Sequence, residues 1–85
     1  MSKSVFTNAQ KILVEELVAA RSRSGMRQED VAGVIGKDQS LISNIERGQR
    51  GIDVIEFIVL VRAIKADPLE LFEGVLKRLP NEISI

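Results

Sequence analysis

Residues 25–50 read GMRQEDVAGVIGKDQSLISNIERGQR and contain two short helical patterns on either side of a glycine. The first pattern places Val31 and Ile35 on one helical face and ends at Gly36. The second begins after Asp38, a residue type that accepts hydrogen bonds at helix N-termini, and ends before another glycine. The stretch therefore predicts two short helices joined by a tight turn.

Three further helix patterns lie outside this stretch, and each has a recognisable start. Residues 7–10 (TNAQ) and 53–56 (DVIE) have the spacing of a capping box. Residues 67–70 (DPLE) combine an acidic N-cap with proline at the first helical position. No segment shows the alternation of a strand. The five predicted helices begin after Thr7, at Gln28, at Gln39, after Asp53 and at Pro68, and they end near Ser24, Ile35, Arg47, Ile64 and Leu79.

The length and composition exclude several classes of protein. Eighty-five residues predict one domain, residues 1–85, and so short a chain buries only about 60% of its unfolded surface, so it gains from a partner subunit. The chain has no cysteine and no histidine, which removes the commonest nucleophile–base pairs and zinc ligands. We therefore expect no metal, no cofactor and no enzyme activity.

The chain is expected to be cytoplasmic. Its N-terminus lacks the apolar core of a signal peptide. The longest apolar region, residues 54–64, is interrupted by two charges and is shorter than the roughly 20 residues of a spanning helix. No membrane association is predicted.

The net charge is zero, but the charges are unevenly distributed along the chain. Residues 21–50 contain six basic and four acidic side chains, whereas residues 53–73 contain five acidic and two basic ones. One end of the fold can therefore be electropositive although the whole chain is neutral, which keeps nucleic-acid binding open.

The second helix of the opening stretch has an unusual polar face. At about 100° per residue, its polar side chains fall within an arc of roughly 140°, opposite its three apolar ones. A solvated face normally carries Glu, Lys and Arg, but this one carries Gln, Ser and Asn, which can bond to base edges in the DNA major groove. Composition alone leaves a solvated face and a base-reading face equally open. The polar residues are Gln39, Ser40, Ser43, Asn44 and Arg47.

The spacing of Ala32, Gly36, Ile42 and Ile45 is that of a helix-turn-helix. With these residues, the opening stretch resembles the helix-turn-helix of the lambda-type phage repressor and Cro class, the XRE family. Residues 53–72 are similar to the fourth and fifth helices of small stand-alone regulators in that family, including restriction-modification controller proteins. The resemblance implies an all-α, five-helix, lambda repressor-like DNA-binding domain with the helix-turn-helix at helices 2 and 3.

The resemblance also implies roles for individual residues. In such proteins the N-terminal part of the recognition helix reads bases, the glutamine that opens the first motif helix touches a phosphate, and basic residues after the recognition helix hold the backbone. Arg27 replaces the usual Thr, Ser or Asn cap, and a merely solvated role stays open for Gln49. The implied base contacts are Gln39, Ser40, Ser43 and Asn44; the phosphate contacts are Arg27, Gln28, Arg47, Gln49 and Arg50; the structural ion pair is Arg21 with Glu46.

The fourth helix is apolar nearly all round, since nine of the eleven residues 54–64 are apolar. Such a helix is covered either by a large core or by another chain, and this chain is too short for a large core. We therefore predict a homodimer through helices 4 and 5 that places two recognition helices about 34–36 Å apart on a pseudo-palindromic operator. Residues 80–85 are predicted to be a tail. The predicted interface residues are Phe57, Val61, Phe72, Val75, Leu76 and Leu79.

Other functions stay open beside a transcriptional regulator of double-stranded DNA. A protein-interaction module of the anti-activator or antitoxin type would keep this fold without its DNA contacts, and the neutral charge favours it. Glu29 matches a position at which some activators of the family present an acidic residue to RNA polymerase, but an acid in a first helical turn is also explained by the helix dipole. The dipole explanation is favoured for Glu29.

Overall fold

Five helices form in residues 7–83, the part of the chain that a computed structural model describes. Part of the N-terminal segment and the last two residues of the predicted tail, Ser84 and Ile85, lie outside this range. The described residues contain no strand, so the all-α prediction is confirmed. The helices are α1 (Asn8–Ser24), α2 (Gln28–Ile35), α3 (Gln39–Glu46), α4 (Val54–Ala63) and α5 (Pro68–Arg78).

Three helices begin at the side-chain caps predicted from the sequence. The Thr7 hydroxyl accepts from the Gln10 backbone N–H at 3.2 Å, and the Gln10 side chain accepts from the Thr7 N–H at 3.0 Å. Asp53 and Glu56 form the same reciprocal pair at the start of α4, at 2.7 and 3.1 Å. At α5, the Asp67 carboxylate accepts from the Leu69 N–H at 3.0 Å. These bonds satisfy backbone donors that a helix N-terminus leaves free.

The two motif helices begin differently. Asp38 stands at the N-cap of α3 in an extended conformation but makes no side-chain cap bond, so the predicted capping role is wrong. Arg27 stands at the N-cap of α2 and has no acceptor with which to cap. Instead, the Asp30 carboxylate accepts from the Arg27 backbone N–H at 2.8 Å, which supplies half of a capping box.

The turn between α2 and α3 depends on Gly36, whose φ of +70° lies in the left-handed region. This conformation brings the Lys37 N–H to the Ala32 carbonyl at 2.9 Å and closes the end of α2. Any side chain at this position would strain the backbone, because residues with a Cβ rarely adopt that φ. The glycine predicted to stop the first motif helix thus sets the angle at which α3 leaves it.

All five helices contribute to a single hydrophobic core. Helix α4 crosses its centre, where Val61 is completely buried. Ile42 and Ile45 hold the inner face of α3 against the core, each only 3% exposed. The helix-turn-helix therefore rests on α4 and α1. The core residues are Leu17, Ala20, Val31, Ala32, Ile42, Ile45, Phe57, Leu60, Val61, Ala63, Ile64, Leu71 and Val75.

This core corrects part of the predicted dimer interface. Phe57, Val61 and Val75 are buried within the protomer, so they are not available to a partner chain. The sequence showed that α4 is apolar on every side but not which side faces inward. Phe72 and Leu76 are exposed, and Leu79 is half-buried against the core.

The ends of the fold are joined by ion pairs. Near the end of α5, the Arg78 guanidinium donates to Glu15 at 2.5 Å and to Glu16 at 2.9 Å, both on α1. Gly74 lets the two helices approach, because a Cβ there would lie 3.1 Å from a Glu16 carboxylate oxygen.

Within residues 7–83, no helix is long and apolar enough to cross a membrane.

Candidate nucleic-acid interface

Helix α3 turns its polar face away from the core. Gln39, Ser40 and Arg47 are exposed, while Ser43 and Asn44 are half-buried at the sides of the same face. Ile42 and Ile45 anchor the opposite face in the core, and Leu41 packs against its edge. The structure thus brings together the four predicted base-contacting residues on one outward surface of a helix that is narrow enough for the DNA major groove.

A semi-buried ion pair lies beneath one end of this face. The Arg21 guanidinium on α1 binds the Glu46 carboxylate on α3 through two hydrogen bonds, Nε–Oε2 at 2.6 Å and Nη2–Oε1 at 2.9 Å. A third bond joins Arg21 Nη1 to the Met26 carbonyl at 3.0 Å, just before α2. The Glu46 interaction raises the Arg21 pKa above its ordinary value. The pair connects α1, α3 and the segment that enters α2.

The ion pair continues into a chain of side-chain amides that reaches the surface. Gln28 donates through Nε2 to Glu46 Oε1 at 2.9 Å, and Gln39 donates through Nε2 to Gln28 Oε1 at 3.2 Å. Gln28, the first residue of α2, was predicted to contact phosphate, and Gln39, the first residue of α3, to contact a base. The structure shows that the two side chains are joined and that both depend on Glu46 for their orientation.

The other end of α3 carries a second pair of polar side chains in contact. Arg47 Nη2 donates to Asn44 Oδ1 at 2.8 Å. No acid pairs with Arg47 within residues 7–83, so its charge is not locally cancelled. Lys37, exposed in the turn before α3, is a second such cation, and it was not among the predicted phosphate contacts. The sequence feature that could have identified Lys37 is its position in the predicted turn, directly before the start of α3.

Two of the predicted phosphate contacts are paired with acids. Arg27 lies 3.4 Å from Asp30 and 3.5 Å from Glu29. The hydrogen bond to Asp30 raises the Arg27 pKa, and bonds from the Arg27 backbone and side chain lower the Asp30 pKa. The two acids outnumber the one cation at the start of α2, so Arg27 offers less positive charge than its position suggested. Gln49, in contrast, is exposed and makes no side-chain hydrogen bond among the described residues.

Arg50 is held more firmly than Arg27. Its guanidinium donates two hydrogen bonds to the Glu56 carboxylate, at 3.0 and 2.7 Å, and one to the Gly51 carbonyl at 3.0 Å. The Arg50 hydrogen bond, followed by the Asp53 backbone N–H, lowers the Glu56 pKa below its ordinary value. Arg50 therefore ties the segment after α3 to the first turn of α4.

The Glu56 interactions predict a dependence of stability on pH. Because folding lowers the Glu56 pKa, its contribution is present above the ordinary value of 4.5 and is lost as the pH falls below it toward the folded pKa. Glu56→Gln should therefore flatten the acid side of the stability–pH profile measured by urea unfolding. Glu73→Gln, at an exposed glutamate outside every described ion pair, is the control. Equal acid slopes in the two variants would contradict the prediction.

Helices α4 and α5 present an apolar surface on the side away from the core. On α4, Val54 is 72% exposed. Ile55 and Val59 are also exposed, and they line a second groove together with Ile35 and Leu41. On α5, Leu69 is 68% exposed and Phe72 contacts Phe57 edge-to-face, with ring centroids 6.3 Å apart. Between the two helices runs an apolar groove of about 330 Å³. We call the exposed side chains of Val54, Ile55, Val59, Leu69, Phe72 and Leu76 the apolar face.

Comparison with known proteins identifies helix-turn-helix proteins as similar to this chain. A family profile described as a helix-turn-helix domain matches residues 12–72. An XRE-family like protein from Pseudomonas syringae pv. tomato str. DC3000 has 35% sequence identity over 85% of this chain and 88% of its own, with a TM-score of 0.80. None of the curated proteins matches this chain significantly.

Restriction-modification controller proteins are also structurally similar. C.AhdI from Aeromonas hydrophila has 32% identity over 74% of this chain and 96% of its own, with a TM-score of 0.66. The wild-type controller C.Esp1396I has 24% identity over 84% of this chain and 93% of its own, with a TM-score of 0.77, and that likeness concerns the fold alone.

Proposed function

The chain belongs to the XRE family of helix-turn-helix proteins, which are DNA-binding transcription regulators, and on that premise we propose that it binds a pseudo-palindromic operator as a homodimer. Helix α3 enters the major groove, and its outward polar face reads bases. The observation that carries the proposal is this face of uncharged hydrogen-bonding side chains, fixed by Ile42 and Ile45 on the buried side. Members of the family are regulators and not enzymes.

The base contacts in this proposal are Gln39, Ser40, Ser43 and Asn44. Gln39 and Asn44 carry amides that can pair with adenine through two hydrogen bonds, and serine can donate or accept at several bases. Gln28 Nε2 keeps one N–H that is not used by Glu46 and is able to donate it to a phosphate. The charged side chains that we propose to contact phosphates are Arg47, which was predicted from the sequence, and Lys37, which is exposed in the turn before α3. Arg27 and Arg50 contribute less because acids already pair with them.

The homodimer is supported by the apolar face of α4 and α5. Large exposed apolar patches on a small chain mark interaction sites, and covering this one with a second copy removes it from water. A two-fold arrangement supplies two α3 helices, and two linked contacts allow a protomer without net charge to bind DNA tightly. The chain then acts as one domain in which α1 to α3 bind DNA and α4 with α5 join the protomers.

Base-reading and phosphate-binding residues should respond differently to substitution. Gln39→Ala should reduce discrimination between the selected operator and random DNA, because a good two-bond base contact contributes about 1–3 kcal/mol. Arg47→Ala should weaken binding to every sequence and lower the salt slope by about one per protomer. Titrations of operator and random duplexes at several salt concentrations measure both effects.

Arg50→Ala is the matched comparison for Arg47→Ala, because the Glu56 ion pair already occupies the Arg50 guanidinium. Its salt slope should change less than that of Arg47→Ala. Equal losses on operator and random DNA for Gln39→Ala and Arg47→Ala would overturn the assignment of roles. A wild-type protein that binds no DNA even at low salt would overturn the proposed function.

The same measurements test a second function, a protein-interaction module that keeps the fold. The observation that favours it is the internal pairing of Arg27 and Arg50, together with the extent of the apolar face. Such a module would associate through α4 and α5 but would bind neither operator nor random DNA at low salt. Salt-dependent DNA binding by the wild type would exclude it.

A further inference from the structure

The outward side of α4 carries one charge among its apolar side chains. At about 100° per residue, its outward apolar residues span an arc of roughly 140°. They are Val54, Ile55, Ile58 and Val59. Arg62 falls in the middle of that arc, one turn after Ile58 and Val59. It is exposed and pairs with no acid within residues 7–83, so a partner that covers this side of α4 meets an unpaired cation.

The outward side of α5 has the same arrangement with the opposite sign. Glu73 stands one turn after Leu69 and one turn before Leu76, both of which belong to the apolar face. At about 100° per residue, Glu73 shares an arc of roughly 100° with them and with Phe72. Glu73 is exposed, and no cation in the described part of the chain pairs with it. A partner that covers the apolar face of α5 therefore also meets a carboxylate.

Covering either charge without a partner of opposite sign would oppose association, because an unpaired charge is costly to remove from water. Arg62 and Glu73 do not bind each other within one protomer. In a two-fold dimer, however, every contact between two different residues occurs twice, once in each direction. A single kind of contact, Arg62 with Glu73 of the partner subunit, would therefore neutralise all four of these charges.

We propose that Arg62 of each protomer binds Glu73 of the partner subunit, and that these two ion pairs make the apolar face selective for a second copy of this chain. Apolar contacts drive association without direction, whereas charge pairs fix the register and disfavour other partners. The inference rests on the homodimer in the proposed function but not on DNA binding. It goes beyond that homodimer in naming the groups by which the chain recognises itself.

Reversing either charge should separate the protomers. In an Arg62→Glu dimer, two pairs of glutamates would face each other, and in a Glu73→Arg dimer, two pairs of arginines would do so. Each variant should raise the dimer dissociation constant by about 100-fold or more. Both side chains are exposed in the protomer, so circular dichroism of dilute protein should show an unchanged helix content.

A mixture of the two variants provides the decisive measurement. In a mixed dimer, the introduced glutamate faces the introduced arginine, and the native Glu73 of one chain faces the native Arg62 of the other. Both ion pairs are thereby restored, so an equimolar mixture should dimerise with a dissociation constant within about tenfold of the wild-type value. Sedimentation of each variant alone and of the mixture measures the effect.

Lys65→Glu and Glu70→Arg are the matched controls, because they change the net charge by the same amounts. Lys65 follows the end of α4, and Glu70 lies about 60° beyond Glu73 on the side away from the apolar face. Each control variant should dimerise alone about as the wild type does. If Lys65→Glu and Glu70→Arg were instead monomeric alone and dimeric when mixed, net charge would explain the effect and the inference would be overturned.

Neutral substitutions give a second measurement that introduces no repulsion. Arg62→Gln and Glu73→Gln should each weaken the dimer by about tenfold, and the double variant should be weakened about as much as either single one. Losses that multiply in the double variant would contradict a direct pairing. In separate protomers Glu73 has no ion pair within residues 7–83, so at dilution Glu73→Gln remains a control for the pH dependence of unfolding.

The outcomes distinguish this inference from the proposed function. Dimerisation of Arg62→Glu or Glu73→Arg as in the wild type would overturn the inference alone, and so would two variants that stay monomeric when mixed. A wild type that remains monomeric at every concentration would overturn the proposed homodimer together with the inference. The DNA titrations of Gln39→Ala and Arg47→Ala test base reading and phosphate contacts independently of these results.

Discussion

Leu69→Glu is expected to separate the protomers and to weaken binding to a two-half-site operator by on the order of 100-fold. Leu69 lies on the apolar face of α5, 68% exposed, at the rim of the groove between α4 and α5. In the dimer a glutamate there would bring an unpaired charge into an apolar contact, which strongly disfavours association. In the separate protomer the same charge stands in water in the first turn of α5, where the helix dipole favours an acid.

The substitution thus distinguishes assembly from folding. Sedimentation should show a monomer, while circular dichroism and thermal unfolding of dilute protein should show an intact helical protomer. Val34→Glu is the control for sedimentation, since Val34 is similarly exposed but lies on α2. Should Leu69→Glu sediment as the wild type does, the apolar face of α5 would not be the dimer interface.

Arg21→Met should cost about 2–3 kcal/mol of folding free energy, because it leaves the Glu46 carboxylate largely buried without its cation. The two side chains are only 18% and 12% exposed, so water screens the pair poorly. For a domain of this size the loss corresponds to a fall in melting temperature on the order of 10–20 °C. Thermal unfolding of the purified variant provides the measurement.

The double variant Arg21→Met, Glu46→Leu is the control for this effect. Replacing both partners by apolar side chains removes the buried charge as well as the pair, so much of the lost stability should return. Its DNA binding should nevertheless stay impaired, since Gln28 loses the acceptor that orients it. A double variant that is less stable than Arg21→Met would contradict this account of the ion pair.

Local chemistry explains why the helices were predictable. Caps depend on neighbours three residues apart, so residues 7–10 and 53–56 identified helix starts without knowledge of the fold. Gly36 could be assigned because a left-handed residue at the end of α2 calls for glycine. Asp38 was the exception, since a suitable residue at an N-cap need not turn its side chain toward the helix.

The inward side of α4 could not be deduced in the same way. Periodicity locates a core face by contrast with a polar face, and residues 54–64 provide almost no contrast. Which residues lie inward depends on how α1, α2 and α5 pack around the helix. Phe57 and Val61 were therefore assigned to the partner chain, although the structure buries them and exposes Val54, Ile55 and Val59 instead.

Contacts that depend on how the chain folds explain two further differences at the candidate site. The sequence indicated that Gln28 opens α2, but the Glu46 carboxylate that orients it lies 18 residues away. Arg50 matched a phosphate-binding position, whereas its ion pair with Glu56 depends on how the chain folds back between α3 and α4. Such pairings follow from the tertiary path of the chain and not from residue type or spacing.

The pairing of Arg27 and Arg50 with acids also bears on how a regulator searches a genome. Electrostatic attraction to phosphates supplies most of the binding to random DNA, and a genome offers on the order of a million or more competing sites. A protein in which acids pair with two of the cations near its DNA-binding surface is held less strongly on those sites, so its free concentration follows its abundance more closely. In the proposed homodimer, dimerisation adds to this effect, and occupancy of the proposed operator is expected to rise steeply once synthesis passes a threshold.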